Sequence, residues 1–421
     1  SSMGGLKGVI VTDFFQFILA MGATFWAAAY LIDLPQIGSL EQLLTHPNVS
    51  DKLNFIPDLS QRELLITLFV LPIAVQWWSV WYPGAEPGGG GYIAQRMLSA
   101  KNEKHAIWAT LLFNVAHYAL RPWPWILIAL ASLIIFPDLD AIQAAFPQMD
   151  ASIIRDDLAY PAMMTLLPAG AIGLVVASLI AAFMSTISSH LNWGSSYVVH
   201  DFYHRFIHPT ASEKRLVAVG RLSTVLLMVF SALFALVLSN ALQAFQILLQ
   251  IGAGTGLLFI LRWFWYRINA YSELTAMVVS FILAIYFQVI HTALGFSPIA
   301  NDLQFLMSVG ITTLCWVGVT LMTSPSDMGT LTSFVQKIQP GGPGWAVVRK
   351  EMSAEDLKTS SKGWNVPQGI LCMFIGAFAI YGALFSTGYF IYGETLQGVL
   401  LGSLSLLAFY LLWRLSKKIV H

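Results

Sequence analysis

The 421 residues are 57% apolar and 10% charged, with 22 basic and 22 acidic side chains and a mean hydropathy of +0.68. Soluble domains carry about 25% charged residues, so an ordinary soluble enzyme, a nucleic-acid binder with a basic footprint and a disordered chain are excluded. The two cysteines, Cys315 and Cys372, lie in apolar runs and make neither a disulfide framework nor a metal-ligand spacing.

A helix crosses about 30 Å of hydrocarbon with about 20 apolar residues. Ten runs qualify in chain order: 8–32, 64–83, 105–136, 168–200, 216–239, 242–266, 273–296, 303–323, 367–388 and 393–413. Backbone in lipid must satisfy its own hydrogen bonds, and no run alternates with period two. The predicted fold is an all-α, multi-pass helical bundle in a lipid bilayer.

The chain opens Ser1-Ser2-Met3 and enters a span at once, without a signal peptide, so it reads as a fragment. The first span carries Asp13 about one and a half turns in. An acid there is either snorkelling at the interface or functional. Two outer loops, 33–63 and 137–165, are long enough for amphipathic helices. The second span ends in Gln76-Trp77-Trp78 and runs into Tyr82-Pro83-Gly84-Ala85-Glu86-Pro87 and four glycines. No helix survives that density of Pro and Gly. The segment is either a cytoplasmic loop or the broken helix that marks a transporter binding site, with Glu86 near the solute path.

In the third span Asn114, His117 and Arg121 fall roughly on one face, and Arg121 calls for a carboxylate or carbonyl partner such as Glu86. In the fourth, Ser185, Ser188, Ser189 and Asn192 are spaced i, i+3, i+4, i+7 and share a face, which Ala182 and Thr186 adjoin. This face is either a small-residue packing seam with hydroxyls bonded to the i−4 carbonyl or a site for a hard cation. His190 reads first as a packed histidine. In the sixth span Gln246 and Gln250 share a face, beside Gly252, Gly254 and Gly256, as solute contacts or packing amides. A polar stretch, 324–366, joins the eighth and ninth spans as a cytoplasmic linker.

With the N-terminus inside, cytoplasmic segments collect Lys7; Arg96, Lys101 and Lys104; Arg205, Lys214, Arg215 and Arg221; Arg262 and Arg267. They also hold Lys337, Arg349, Lys350, Lys358 and Lys362; then Arg414, Lys417 and Lys418. The bias places both termini in the cytoplasm, and the expected location is a bacterial inner membrane.

These residues resemble the sodium/solute symporter family, which includes sodium-coupled glucose, proline and sialic-acid transporters. The resemblance rests on Gly4-Gly5-Leu6-Lys7-Gly8 with Thr12-Asp13-Phe14-Phe15-Gln16, and on Gly173-Leu174 through Asn192. It extends to Asp201-Phe202-Tyr203 and Arg262-Trp263-Phe264-Trp265. It implies a partial LeuT-like inverted-repeat core in residues 1–270, with the last helix of repeat one and all of repeat two. Residues 271–421 are then accessory transmembrane helices. Four core helices would be absent, and residues 1–421 alone are expected not to transport.

The resemblance also implies sodium as coupling ion. The family's shared sodium site falls on the Ala182 carbonyl, Ser185 and Thr186. A second site falls on Asp13, Ser185, Ser188 and Ser189. The aromatic gate falls on Gln76, Trp77 and Trp78. The implied function is import of a small polar solute (a sugar, sugar acid or amino acid) by alternating access. Neither an enzyme, a transition metal nor an organic cofactor is implied. A non-transporting sensor or scaffold on this fold is the alternative. An intramembrane Ser/His hydrolase is a weaker one, since neither a GxSxG elbow nor an HExxH is present.

Overall fold

A computed structural model describes residues 5–56, 60–79, 91–236, 241–352 and 366–419, and among these there is helix and no strand. Among the described residues eight helices are long and apolar enough to cross a membrane: Ile10–Ile32, Glu103–Ile135, Ala169–Ile207, Glu213–Ala235, Ala270–Gln288, Asn301–Met322, Val366–Ile391 and Thr395–Ser416. They answer to eight of the ten predicted spans.

The other two predicted spans are interrupted. The 64–83 run starts as Arg62–Leu65, passes through π turns Ile66–Val70 and Pro72–Gln76, and reaches Trp77–Ser79. Pro72 has no N–H, so the i→i−4 ladder cannot run through it. Trp77 N–H bonds the Pro72 carbonyl across five residues instead. Residues 80–90, with Glu86, lie outside the described residues, and Gly91 opens the helix Gly91–Leu98.

The 242–266 run is two helices, Ala241–Gly252 and Thr255–Leu261, not one. Gly254 between them is left-handed at φ 80°, where any Cβ is strained. A Cβ there would also lie 2.9 Å from both Thr312 Cβ and the Val309 carbonyl oxygen. The Trp316 indole N–H donates to the Gly254 carbonyl at 3.2 Å and holds the break open.

The chain divides into two compact units. The first comprises 1–54, 116–239 and 384–398. In it Gly5–Ile32 packs on Ala169–Ser196 and Pro122–Ile135. Ala23, Ala27 and Leu31, at i, i+4 and i+8, form the buried stripe against Ile128, Ala131, Met163 and Val175. Alanines at such a seam let helix axes approach where no hydrophobic force separates protein from lipid. Both predicted loops, 33–63 and 137–165, contain short helices. Leu40–Thr45 is capped by the Ser39 hydroxyl and buries Leu43; Leu139–Ala145 is capped by Asp138 and buries Ile142.

The second unit comprises 55–115, 240–383 and 399–421. Its centre is Ala270–Ile285 on Asn301–Met322. Ser280, Ser308 and Thr320 on this interface return their hydroxyls to carbonyls three or four residues back, and Ser272 bonds Thr320 across it at 2.6 Å.

The stretch expected as a linker is folded over most of its described length, as Met328–Ile338 and Ala346–Glu351. Leu331, Val335, Trp345, Val348 and Met352 form a buried cluster against Tyr266 and Phe334. Outside the spans, the Asp327 carboxylate caps Met328–Ile338, and the Thr330 hydroxyl and N–H hold its pKa below the ordinary value. Trp345 stacks on Phe334 at 5.2 Å and donates its indole N–H to the Trp263 carbonyl at 2.9 Å. Removing a buried Trp costs about 3 to 5 kcal/mol. Trp345→Ala is therefore expected to lower the unfolding midpoint of the detergent-solubilised protein by several degrees. A midpoint unmoved by the change would show that this cluster adds nothing to stability.

Candidate functional site

Asp13 sits on Gly5–Ile32 and the serine-rich face on Ala169–Ser196, two helices packed along each other in the first unit. The packing brings together residues 172 positions apart: the Ser185 hydroxyl donates to the Asp13 carboxylate. Both side chains are half-buried. The acid is thus directed toward the neighbouring helix.

The hydroxyls of the serine face differ residue by residue in their hydrogen bonds. Thr186 follows the packing pattern, donating to the Ala182 carbonyl at 3.0 Å. His190 Nδ1 donates to the Thr186 carbonyl at 2.9 Å, so this histidine is tied to its own helix. Ser185 departs from the pattern by turning to Asp13. The half-buried Ser188 and Ser189 hydroxyls make no hydrogen bond among the described residues. A hydroxyl without a bond to its own helix has both its proton and its lone pairs open to another partner.

A further oxygen lies nearby in sequence. Gln16 lies three residues beyond Asp13, close to the same helix face. Its Oε1 is buried without a hydrogen-bond partner among the described residues. An orphaned buried acceptor is costly, and a cation is one way to satisfy it. The sequence reading passed over Gln16; its i+3 spacing from Asp13 was the available signal. One carboxylate with neutral hydroxyl and amide oxygens suits a hard monovalent cation, and the set lacks the soft or imidazole ligands of a transition-metal site. Ala182 and Thr186 are exposed in this chain.

Arg121 belongs to the same unit and does not reach Asp13's cluster in any hydrogen bond among the described residues. Its Nη1 donates to His117 Nδ1 at 3.0 Å, and its guanidinium carbon lies 5.4 Å from the Trp125 ring centroid.

The remaining candidates lie in the second unit. Trp78 donates its indole N–H to the Ala74 carbonyl, and Trp77 is exposed beside Gln76. Asn114 donates to the Thr110 carbonyl of its own helix at 2.8 Å. Gln250 is 3% exposed and forms the middle of an amide chain. Gln288 donates to Gln250 Oε1 at 3.0 Å, Gln250 donates to Gln304 Oε1 at 2.8 Å, and Gln304 donates to the Ile299 carbonyl at 2.7 Å. Of its two sequence readings, the packing amide matches this geometry.

Residues 1–280 match the sodium:solute symporter family. The chain belongs to that family. It is 28% identical over 306 residues to the rat sodium/myo-inositol cotransporter 2, covering 67% of this chain and 44% of that protein. It is 27% identical over 343 residues to the Vibrio parahaemolyticus sodium/glucose cotransporter, covering 78% and 61% respectively. Against the human sodium/myo-inositol cotransporter 2 it is 31% identical over 207 residues, or 46% of this chain and 30% of that one. The chain thus spans about half the length of the curated relatives it matches. The family match ends within Ala270–Ile285, so the folded 328–351 segment lies beyond it.

Proposed function

We propose that this symporter-family chain is part of a sodium-coupled secondary transporter that imports a small polar solute by alternating access. The observation that supports the reading most is the Asp13–Ser185 contact beside two uncommitted serine hydroxyls. An ionised acid in a span is unfavourable by several kcal/mol without a compensating charge. A sodium ion between Asp13, Ser185, Ser188 and Ser189 supplies that charge, with the Ser185 hydroxyl turning a lone pair toward the ion. A second ion would use the Ala182 carbonyl, Ser185 and Thr186, completed by a helix not among the described residues.

The driving force is adequate. A tenfold sodium gradient contributes ~1.4 kcal/mol, and ~100 mV adds ~2.3 kcal/mol per charge. Two ions then give roughly 7 kcal/mol, enough for about 10⁵-fold accumulation of a neutral solute. Gln76, Trp77 and Trp78 would flank the solute path, and Glu86 remains a proposed contributor to it. The reading places both termini in the cytoplasm, in keeping with the one-sided Lys and Arg distribution, and the protein in a bacterial inner membrane.

The test is sodium-driven uptake by the intact transporter in proteoliposomes. Thr186→Ala is expected to abolish coupled uptake while leaving the folded protein in place. Equal accumulation with sodium, potassium or choline outside would refute sodium coupling.

A further inference from the structure

Arg121 occupies a specific local break. It follows the π turn Val115–Leu120 and precedes Pro122–Ile135. Pro122 and Pro124 have no N–H, so two rungs of the i→i−4 ladder are missing there. The Arg121 N–H reaches back five residues to the Ala116 carbonyl at 2.9 Å. π-bulges of this kind are frequent at functional sites. The result is a guanidinium held far from either end of the 33-residue apolar helix Glu103–Ile135.

Its described surroundings are neutral. An arginine only donates, so His117 Nδ1 is the acceptor and that ring carries its proton on Nε2. Trp125 offers a π face. Among the described residues no carboxylate lies within ion-pair distance of Arg121, and its guanidinium makes no hydrogen bond besides the one to His117. Arg121 is nevertheless exposed. A guanidinium left in hydrocarbon is costly, so its open side calls for a polar partner. The Nε–Nη2 edge remains a two-pronged donor, the geometry that carboxylates accept.

We infer that Arg121 receives a carboxylate of the transported solute, and that the substrate is an acidic polyol such as a sugar acid rather than a neutral sugar or inositol. This rests on the symport reading above and names its substrate class. His117 and Trp125 act as positioning residues: one holds Nη1, the other backs the guanidinium plane.

The experiment measures sodium-driven uptake by the intact transporter, with glucuronate and gluconate against glucose and myo-inositol as probes. The expected result is uptake of an acid, with a neutral probe competing at least about a hundredfold more weakly. Arg121→Gln should abolish this preference and Arg121→Lys should restore part of it. Sodium-dependent thermal stabilisation of both variants reports that they fold and still bind the ion. Glucose or myo-inositol taken up equally by wild type and Arg121→Gln overturns the inference and leaves the symport reading standing. Loss of uptake in Glu86→Gln and in Arg121→Gln, with recovery in the double variant, also overturns it, because the arginine's partner would then be Glu86. Absence of both sodium-driven uptake and sodium-dependent stabilisation in wild type removes the symport reading itself.

Discussion

In the intact transporter, Asp13→Asn is expected to lower the Hill coefficient for sodium from near two toward one and to raise the half-saturating concentration at least about tenfold, or ~1.4 kcal/mol. Asparagine keeps the size of the side chain and an oxygen for the Ser185 hydroxyl, so the helix contact survives. What disappears is the negative charge, and neutral oxygens alone bind a monovalent ion weakly. Stability without sodium is not expected to fall, because an ion-free ionised carboxylate in a span is itself unfavourable. Sodium titrations of uptake and of thermal unfolding, run side by side, read both effects. An unchanged, hyperbolic sodium dependence in wild type and variant would return Asp13 to a purely structural role beside Ser185.

A second large effect is expected at Gly256, where the helix Thr255–Leu261 meets Trp77–Ser79 within the second unit. A Cβ at this position would lie 2.1 Å from the Trp78 carbonyl oxygen and 2.7 Å from the Ser79 carbonyl carbon and oxygen. Backbone cannot swing aside as a side-chain tip can. Gly256→Val should therefore destabilise by about 3 kcal/mol, read as a lowered unfolding midpoint and a smaller yield of monodisperse protein. Gly310→Ala is the internal control, since its Cβ would meet nothing within 4 Å. Equal midpoints for Gly256→Val and the control would mean that the two segments do not approach as described.

Hydropathy made most of the fold legible, because length and apolarity alone decide whether a helix spans. Hydropathy could not locate the interruptions. The break at Gly254 depends on Trp316, 62 residues further on, donating to its carbonyl, and three nearby glycines gave only a loosened helix. The 324–366 stretch looked like a linker because it is polar on average. Its apolar residues are few, yet Leu331, Val335 and Trp345 all turn inward. At the candidate site, helical spacing grouped the serines correctly on one face. Spacing could not tell which hydroxyls bond their own helix. Thr186 does and Ser185 does not, and only the neighbouring Asp13 decides that.

Trp345 and Gly344 also bear on where this polypeptide can be divided. The Gly344 carbonyl accepts the Tyr266 N–H, and a Cβ at 344 would fall 1.8 Å from the Phe264 carbonyl oxygen. Residues 263–266 lie inside the family-matching segment, whereas 344 and 345 lie outside it. A chain cut at residue 280 would leave the turn at 263–266 without its partners Gly344 and Trp345, and Gly254 without Trp316. The end of the family match and the end of the packed cluster therefore do not coincide. Transplanting residues 1–280 onto the C-terminal helices of a relative would require residues 263–266 and 344–345 to travel together.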